Sequence, residues 1–161
     1  MKFQYLAVEG PIGVGKTSLV GLLAEHFDAR KVLENAENPF LDDFYHDRPG
    51  SAFQTQLFFL LNRYQQQRDL SQGSLFNQVT LSDYIFAKDK IFAYLNLDDS
   101  ELMIYEKLYA LLEPNIPRPD LVIYLQTPTE VLGRRIRQRD RPEETRLSEE
   151  YLAEVTRAYN H

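Results

Sequence analysis

Eight consecutive residues near the N-terminus have the types and spacing of a phosphate-binding loop. They match the pattern G-x-x-x-x-G-K-[ST] and are Gly10, Pro11, Ile12, Gly13, Val14, Gly15, Lys16 and Thr17. Glycines let successive backbone N–H groups point at phosphate oxygens, and a following helix presents its positive end to the same anion. In this pattern Lys16 reaches the β- and γ-phosphates, and the Thr17 hydroxyl binds Mg²⁺. The loop therefore predicts a site for ATP with Mg²⁺.

A second concentration of charge lies near the C-terminus of a chain that is otherwise acidic. It contains five arginines: Arg134, Arg135, Arg137, Arg139 and Arg141. On a helix, Arg135 and Arg139 share one face, and Arg137 and Arg141 share another. The guanidinium fork suits phosphate oxygens, because it can donate to two of them at once. The segment is therefore a candidate for contact with the transferring phosphate.

Alternating strands and helices must position these residues. Apolar segments predict strands near 3–8, 31–33, 75–82 and 121–125. Helical spacing predicts helices at 16–27, 51–70, 84–95, 100–112 and 129–139, with a last helix from Ser148. This alternation predicts an α/β fold with a mostly parallel sheet flanked by helices. Glu34 and Asp83 follow the second and third strands, so they belong to the carboxyl edge of the sheet, where ligands bind in such folds.

The composition narrows the class of protein. A chain of 161 residues with 43% apolar residues predicts a single folded domain. A net charge of −6 argues against general binding of nucleic acid. No cysteine is present, which excludes disulfides and thiolate metal sites, and no apolar run is long enough for a membrane span. We expect a cytoplasmic protein without nucleic-acid or membrane partners.

Seven segments, in this order, resemble the deoxynucleoside kinase family, and most of all its bacterial deoxyadenosine and deoxyguanosine kinases. They read VEGPIGVGKTSL, ENPFLDDFY, SAFQTQLFFLLNRY, SDYIFAKDKIFA, PDLVIYL, RIRQRDRPEE and YLAEV. The resemblance implies a P-loop NTPase fold of the nucleoside kinase type, a single kinase domain over 1–161, a lid at about 134–147 and a homodimer. It also implies a fifth parallel strand and an adenine-binding segment after the last helix. Neither lies within these 161 residues, so we expect the natural chain to continue.

The resemblance also implies catalytic roles. Glu34 matches the base that takes the proton from the 5′-hydroxyl of a nucleoside, with Glu37 as its rival. Asp83 matches an acid that helps to hold Mg²⁺ or to orient the attacking hydroxyl. Relatives place arginine after this acid, where the chain has Tyr84. Arg135, Arg139 and Arg141 match the lid arginines that stabilise the transferring charge.

Further matches concern the nucleoside. Tyr45 matches the tyrosine that holds the sugar 3′-hydroxyl, and Glu144 matches a lid glutamate that reaches the sugar. Gln54 and Gln56 both lie near the glutamine that reads the base. Gln56 is chosen because it lies seven residues from Arg63, which is the separation of the family's Gln–Arg pair. Asp89 matches an acid that helps to read the base.

The sequence therefore predicts an ATP-dependent kinase that phosphorylates the 5′-hydroxyl of a deoxynucleoside, with purines favoured by the resemblance. Two alternatives are carried forward. A thymidylate-type nucleoside monophosphate kinase shares the loop and a lid, but its acceptor is a phosphate. A nucleotide-binding subunit without catalysis would bind ATP and transfer nothing.

Overall fold

Four parallel strands form the sheet predicted from the apolar segments. The computed structural model describes residues 3–35, 37–72, 78–139 and 149–160, without the side chains of residues 71, 72, 139 and 149. Within them the strands are β1 (Tyr5–Glu9), β2 (Arg30–Val32), β3 (Thr80–Ser82) and β4 (Leu121–Tyr124). Their order in the sheet is β2-β3-β1-β4, and each neighbouring pair is parallel. β1 is central, so the loop that follows it starts from the middle of the sheet.

Seven α-helices connect or follow these strands in the described part of the chain. They are α1 (Lys16–Phe27), α2 (Leu41–Tyr45), α3 (Ser51–Gln72), α4 (Lys88–Asn96), α5 (Asp99–Leu112), α6 (Thr129–Arg139) and α7 (Glu149–Tyr159). A short 3₁₀ turn, Glu113–Asn115, ends α5. The sequence did not predict α2, which follows an Asx turn in which the Asn38 side chain accepts from the N–H of Phe40 at 2.9 Å. Such side-chain turns replace missing backbone partners near a helix start.

Two predicted elements are shorter in the structure. The third strand was predicted over 75–82 and covers Thr80–Ser82, because its ladder with β1 begins at the Tyr5–Thr80 pair; residues 73–77 lie outside the described residues. The helix predicted over 84–95 begins at Lys88 instead. The N–H of Ile85 donates to the carboxylate of Glu9, and the Ser82 hydroxyl donates to the carbonyl of Tyr84. These backbone groups therefore have partners outside a helix.

The chain divides into two compact units. The first is drawn from Met1–Glu34, Ser74–Ile85 and Arg118–His161, and the second from Asn35–Gly73 and Phe86–Pro117. In the first unit, β1 and β3 pack against α1 through a core that includes Val8, Val20 and Leu81. In the second unit, α3, α4 and α5 enclose Leu60, Phe86, Ala93, Tyr105 and Tyr109. The single kinase domain over 1–161 stays a prediction.

The buried face of α3 includes several polar residues. Leu60 is buried, whereas its neighbour Leu61 is 49% exposed. Five polar residues of α3 are also buried, namely Ser51, Thr55, Gln56, Arg63 and Gln67. Buried polar groups are stable when they have hydrogen-bond partners, and those of Gln56 and Arg63 are described below. None of the helices in the described ranges is both long and apolar enough to cross a membrane.

Candidate active site

The loop between β1 and α1 has the backbone geometry that an anion site requires. Gly10 has to be a glycine, because a Cβ there would lie 2.6 Å from the backbone oxygen of Leu125. Gly15 precedes α1 with φ 106°, in the left-handed region that favours glycine. Among the described residues no side chain caps this helix, and its first turn contains no acid. The N–H groups and the positive end of α1 are therefore available to a phosphate.

Lys16 and Glu9 face each other at the entrance to the loop. The Lys16 ammonium donates to the carbonyl of Gly10 at 2.5 Å and lies 3.7 Å from Glu9 Oε1. Glu9 is the last residue of β1 and is buried. No role was predicted for Glu9, and its position directly before the loop is the signal in the sequence that could have indicated one.

Asp83 connects three segments at the carboxyl edge of the sheet. Its Oδ2 accepts from the Thr17 hydroxyl at 2.8 Å, and its Oδ1 accepts from the N–H of Glu34 at 2.7 Å. The side chain is buried, and its own N–H donates to the carbonyl of Val32. A hydroxyl beside a carboxylate is the oxygen pair that Mg²⁺ uses when substrate phosphates complete its shell. The residues present therefore fit the metal ion that the loop motif implies.

The two candidate bases differ in their surroundings. Glu34 is half-buried, and its backbone is fixed to Asp83. Glu37, in the second unit, is exposed, and its N–H donates to the side chain of Asn35 at 3.0 Å. Within the first unit, the backbone N–H of Glu34 and the hydroxyl of Thr17 therefore contact the same carboxylate, that of Asp83.

One arginine of the predicted cluster contacts the phosphate loop. The Arg135 guanidinium, on α6, donates to the carbonyl of Val14 at 2.9 Å. Arg134 and Arg137 of the same cluster are exposed. The side chain of Arg139 lies outside the described residues, as do Arg141 and Glu144.

The second unit contains a buried polar cluster around Asp89. Gln56 Nε2 donates to the backbone carbonyl of Asp89 at 3.0 Å and to its Oδ2 at 2.9 Å. The Arg63 guanidinium forms an ion pair with the same carboxylate. Asp89 itself is 0% exposed. These contacts join Gln56, Arg63 and Asp89, the three residues that the family resemblance associates with reading the base.

Tyr105 of α5 is the fourth member of this cluster, and its hydroxyl donates to Asp89. Burial raises the pKa of the Tyr105 hydroxyl well above its usual value, and the adjacent Asp89 charge raises it further. The hydroxyl therefore stays protonated and remains a donor at every physiological pH. Sequence reasoning missed Tyr105 because it lies in the apolar stripe of its helix, where it reads as a core aromatic.

Other predicted residues are less closely associated with these clusters. Tyr45 is half-buried on α2, with its ring 5.4 Å from that of Phe44. Gln54 is exposed, whereas Gln56 is buried, which favours Gln56 over its rival. Tyr84, which follows Asp83, is fully buried. Its ring is therefore part of the core at this position.

Comparison with known proteins identifies the family. The model of the deoxynucleoside kinase family matches residues 6–161. The chain therefore belongs to the deoxynucleoside kinase family, whose members transfer phosphate from ATP to a hydroxyl group. This confirms the predicted family, the P-loop α/β fold and the assignment to an enzyme of the phosphotransferase class.

Individual relatives agree with this assignment. The chain is 38% identical over 157 residues to a deoxyguanosine kinase of Bacillus subtilis, covering 96% of this chain and 76% of the relative. It is 32% identical over 169 residues to a deoxyadenosine/deoxycytidine kinase of the same organism, covering 99% and 76%. Its fold is similar to that of a deoxyadenosine kinase from M. mycoides, with a TM-score of 0.86, 24% identity and coverage of 98% and 82%.

Proposed function

We propose that this chain phosphorylates the 5′-hydroxyl of a purine deoxynucleoside, deoxyadenosine or deoxyguanosine, for nucleotide salvage in the cytoplasm. The observation that carries the proposal is the carboxylate of Asp83. It contacts Thr17 of the phosphate loop on one side and the backbone of Glu34 on the other. A metal-binding oxygen pair and a candidate base are thus held by one side chain, which is the arrangement that transfer from ATP to a hydroxyl needs.

The proposed chemistry assigns one task to each residue of the first unit. The loop N–H groups and Lys16 bind the phosphates. The Arg135 guanidinium, which in this structure donates to the carbonyl of Val14, stabilises charge on the transferring group. The Glu34 carboxylate takes the proton of the 5′-hydroxyl, which makes that oxygen a better nucleophile. Thr17 and Asp83 hold Mg²⁺, which when bound neutralises phosphate charge. For Arg139 and Arg141 the phosphate roles rest on the family resemblance, and Glu144 has its sugar role on the same basis.

The Asp89 cluster supports the base-reading roles in the second unit. Both N–H groups of the Gln56 amide point to Asp89, at its carbonyl and at Oδ2. The amide therefore offers its carbonyl oxygen, an acceptor, to any further partner. Adenine, guanine and cytosine all carry exocyclic amino groups that donate to such an acceptor, so the contact fits a purine and cytosine alike. The proposal of a purine rests on the relatives named above, a deoxyguanosine kinase and a deoxyadenosine/deoxycytidine kinase. Tyr45 is proposed to hold the 3′-hydroxyl.

A homodimer is part of the proposal. In the second unit, α5 exposes Met103, Ile104 and Leu111, and an apolar helix face of this kind is typical of a subunit interface. Light scattering of the purified protein tests it: a mass near 37.8 kDa, twice the 18.9 kDa chain, supports the dimer, and a mass near 18.9 kDa contradicts it.

A panel of acceptors tests the reaction itself. Purified protein receives ATP and Mg²⁺ with each deoxynucleoside in turn, and with the corresponding monophosphates, while a coupled assay records ADP release. The proposal expects ADP release with deoxyadenosine or deoxyguanosine. Release only with monophosphates supports a thymidylate-type kinase. ATP binding in calorimetry without release for any acceptor supports a non-catalytic subunit.

A further inference from the structure

Glu9 is a buried carboxylate to which the proposed reaction gives no task. Its side chain ends β1 and is 3% exposed, and a buried charge is costly unless donors surround it. Four donors do so here. The N–H groups of Gly10 and Ile85 each lie 2.9 Å from its oxygens, the Tyr159 hydroxyl lies 3.2 Å away and the Lys16 ammonium 3.7 Å away.

The two oxygens of Glu9 fix two segments of the active site. Oε1 accepts from Gly10, the first residue of the phosphate loop, and Oε2 accepts from Ile85. Ile85 lies two residues after Asp83, whose carboxylate contacts Thr17 at the other end of the loop. Glu9 therefore joins the start of the loop to the turn that carries Asp83.

The charge of Glu9 also acts on Lys16. The Lys16 ammonium lies between the carbonyl of Gly10 and the Glu9 carboxylate, and the side chains of Lys16 and Glu9 are 12% and 4% exposed. A carboxylate at this distance attracts the ammonium strongly, because little water screens the two charges in such a place. It also restricts the ammonium to one side of the loop.

We propose that Glu9 is a positioning residue for the phosphate donor, holding Lys16 and the Asp83 turn in the arrangement that binds ATP. The inference rests on the proposed function only in taking ATP as the ligand of the loop. It extends that function by assigning a carboxylate that touches neither substrate. A neutral glutamine cannot replace Glu9, because the amide nitrogen of glutamine is a donor and would face one of the two backbone N–H groups that the carboxylate now accepts from.

Calorimetric titration with ATP and steady-state kinetics of Glu9→Gln test the proposal. We expect ATP affinity to fall about tenfold to a hundredfold, as for the loss of a charge-assisted contact. The KM for the nucleoside should stay within about twofold of the wild type, since the Asp89 cluster is unchanged. Glu25→Gln, on an exposed position of α1, makes the same charge change and should leave both values unchanged.

Two results overturn the proposal. One is wild-type ATP affinity in Glu9→Gln. The other is an equal loss of ATP affinity, nucleoside affinity and thermal stability, which marks a purely structural residue. If Glu9→Gln does not fold, Glu9→Asp decides: a loss of ATP affinity of about threefold or more supports the role, and no loss contradicts it. ATP titration does not depend on phosphoryl transfer, so this test separates the role of Glu9 from the proposed reaction.

Discussion

The hydroxyl of Thr17 donates to Oδ2 of Asp83 at 2.8 Å, across a sequence separation of 66 residues. The two residues come from the start of α1 and from the end of β3, and parallel pairing of β3 with β1 brings these ends together. The contact is the structural basis of the proposed Mg²⁺ site. The loop motif predicted Thr17 as a metal ligand, and the family resemblance implied that Asp83 holds the metal or orients the attacking hydroxyl.

Replacement of Asp83 by asparagine should weaken the use of Mg²⁺. The amide lacks the negative charge, so the Mg²⁺ concentration for half-maximal rate should rise about tenfold or more. The measurement is the rate at saturating ATP and nucleoside as Mg²⁺ is varied. Asp99→Asn, on an exposed position, is the matched control and should follow the wild type. An unchanged Mg²⁺ dependence in Asp83→Asn would exclude Asp83 from the metal site.

Replacement of Glu34 by glutamine should reduce turnover and spare ATP binding. Loss of a general base costs about 10²- to 10⁴-fold in rate, whereas ATP binding is proposed to rest on the loop N–H groups and Lys16. The comparison is kcat from the coupled assay beside the ATP dissociation constant from calorimetry. Glu37→Gln should retain nearly wild-type turnover. The base assignment moves to Glu37 if the two variants behave the other way round.

Replacement of Tyr105 by phenylalanine should weaken nucleoside binding alone. The change removes one hydrogen-bond donor from the buried Asp89 carboxylate, and a buried group that loses a partner is destabilised by about 1–3 kcal/mol. Arg63 and Gln56, which contact the same carboxylate, can then shift. We expect the nucleoside KM to rise about tenfold, with the KM for ATP unchanged. Tyr94→Phe removes a tyrosine–carboxylate contact that is exposed and should change neither constant. A normal nucleoside KM in Tyr105→Phe would show that this hydroxyl has no part in reading the base.

Asp120 should stabilise the first unit in a manner that depends on pH. Its carboxylate accepts from the N–H groups of Tyr5 and Gln4 at 2.9 and 2.8 Å, and these bonds lower the pKa of Asp120 below its usual value of 3.8. Because the folded pKa is the lower one, the stabilisation is fully present above pH 3.8 and is lost as the pH falls through the folded pKa.

Denaturant unfolding of Asp120→Asn and the wild type across this pH range measures the effect. The variant should be less stable at pH 7, and the difference should shrink below the usual pKa of the group. A difference that does not vary with pH would mean that the carboxylate acts through shape and not through its charge.

The sequence predicted the regions that are fixed by local rules. The phosphate loop determines where α1 begins, and the helix bounds Lys16–Phe27 are those predicted. The helix predicted over 129–139 likewise begins at Thr129. In both cases the chain's own turn chemistry sets the boundary, so no distant contact was needed.

Distant contacts account for what the sequence did not reveal. Asp89, in the sequence Lys88-Asp89-Lys90, has the local pattern of a surface charge but is 0% exposed. Its burial depends on Arg63 and Tyr105, which lie 26 and 16 residues away. Glu9 and Tyr105 carry no motif, and their partners are known only from the fold. The late start of α4 has the same origin, since Glu9 binds the N–H of Ile85.

The central claim is transfer of phosphate from ATP to the 5′-oxygen of a deoxynucleoside, and the identity of the product tests it most directly. Purified protein is incubated with ATP, Mg²⁺ and deoxyadenosine or deoxyguanosine, and the product is analysed by mass spectrometry and proton-coupled ³¹P NMR. We predict a monophosphate whose phosphorus couples to the two protons of the 5′-carbon. Phosphorus coupled to a single sugar proton, or a diphosphate formed only from added monophosphate, would contradict the claim.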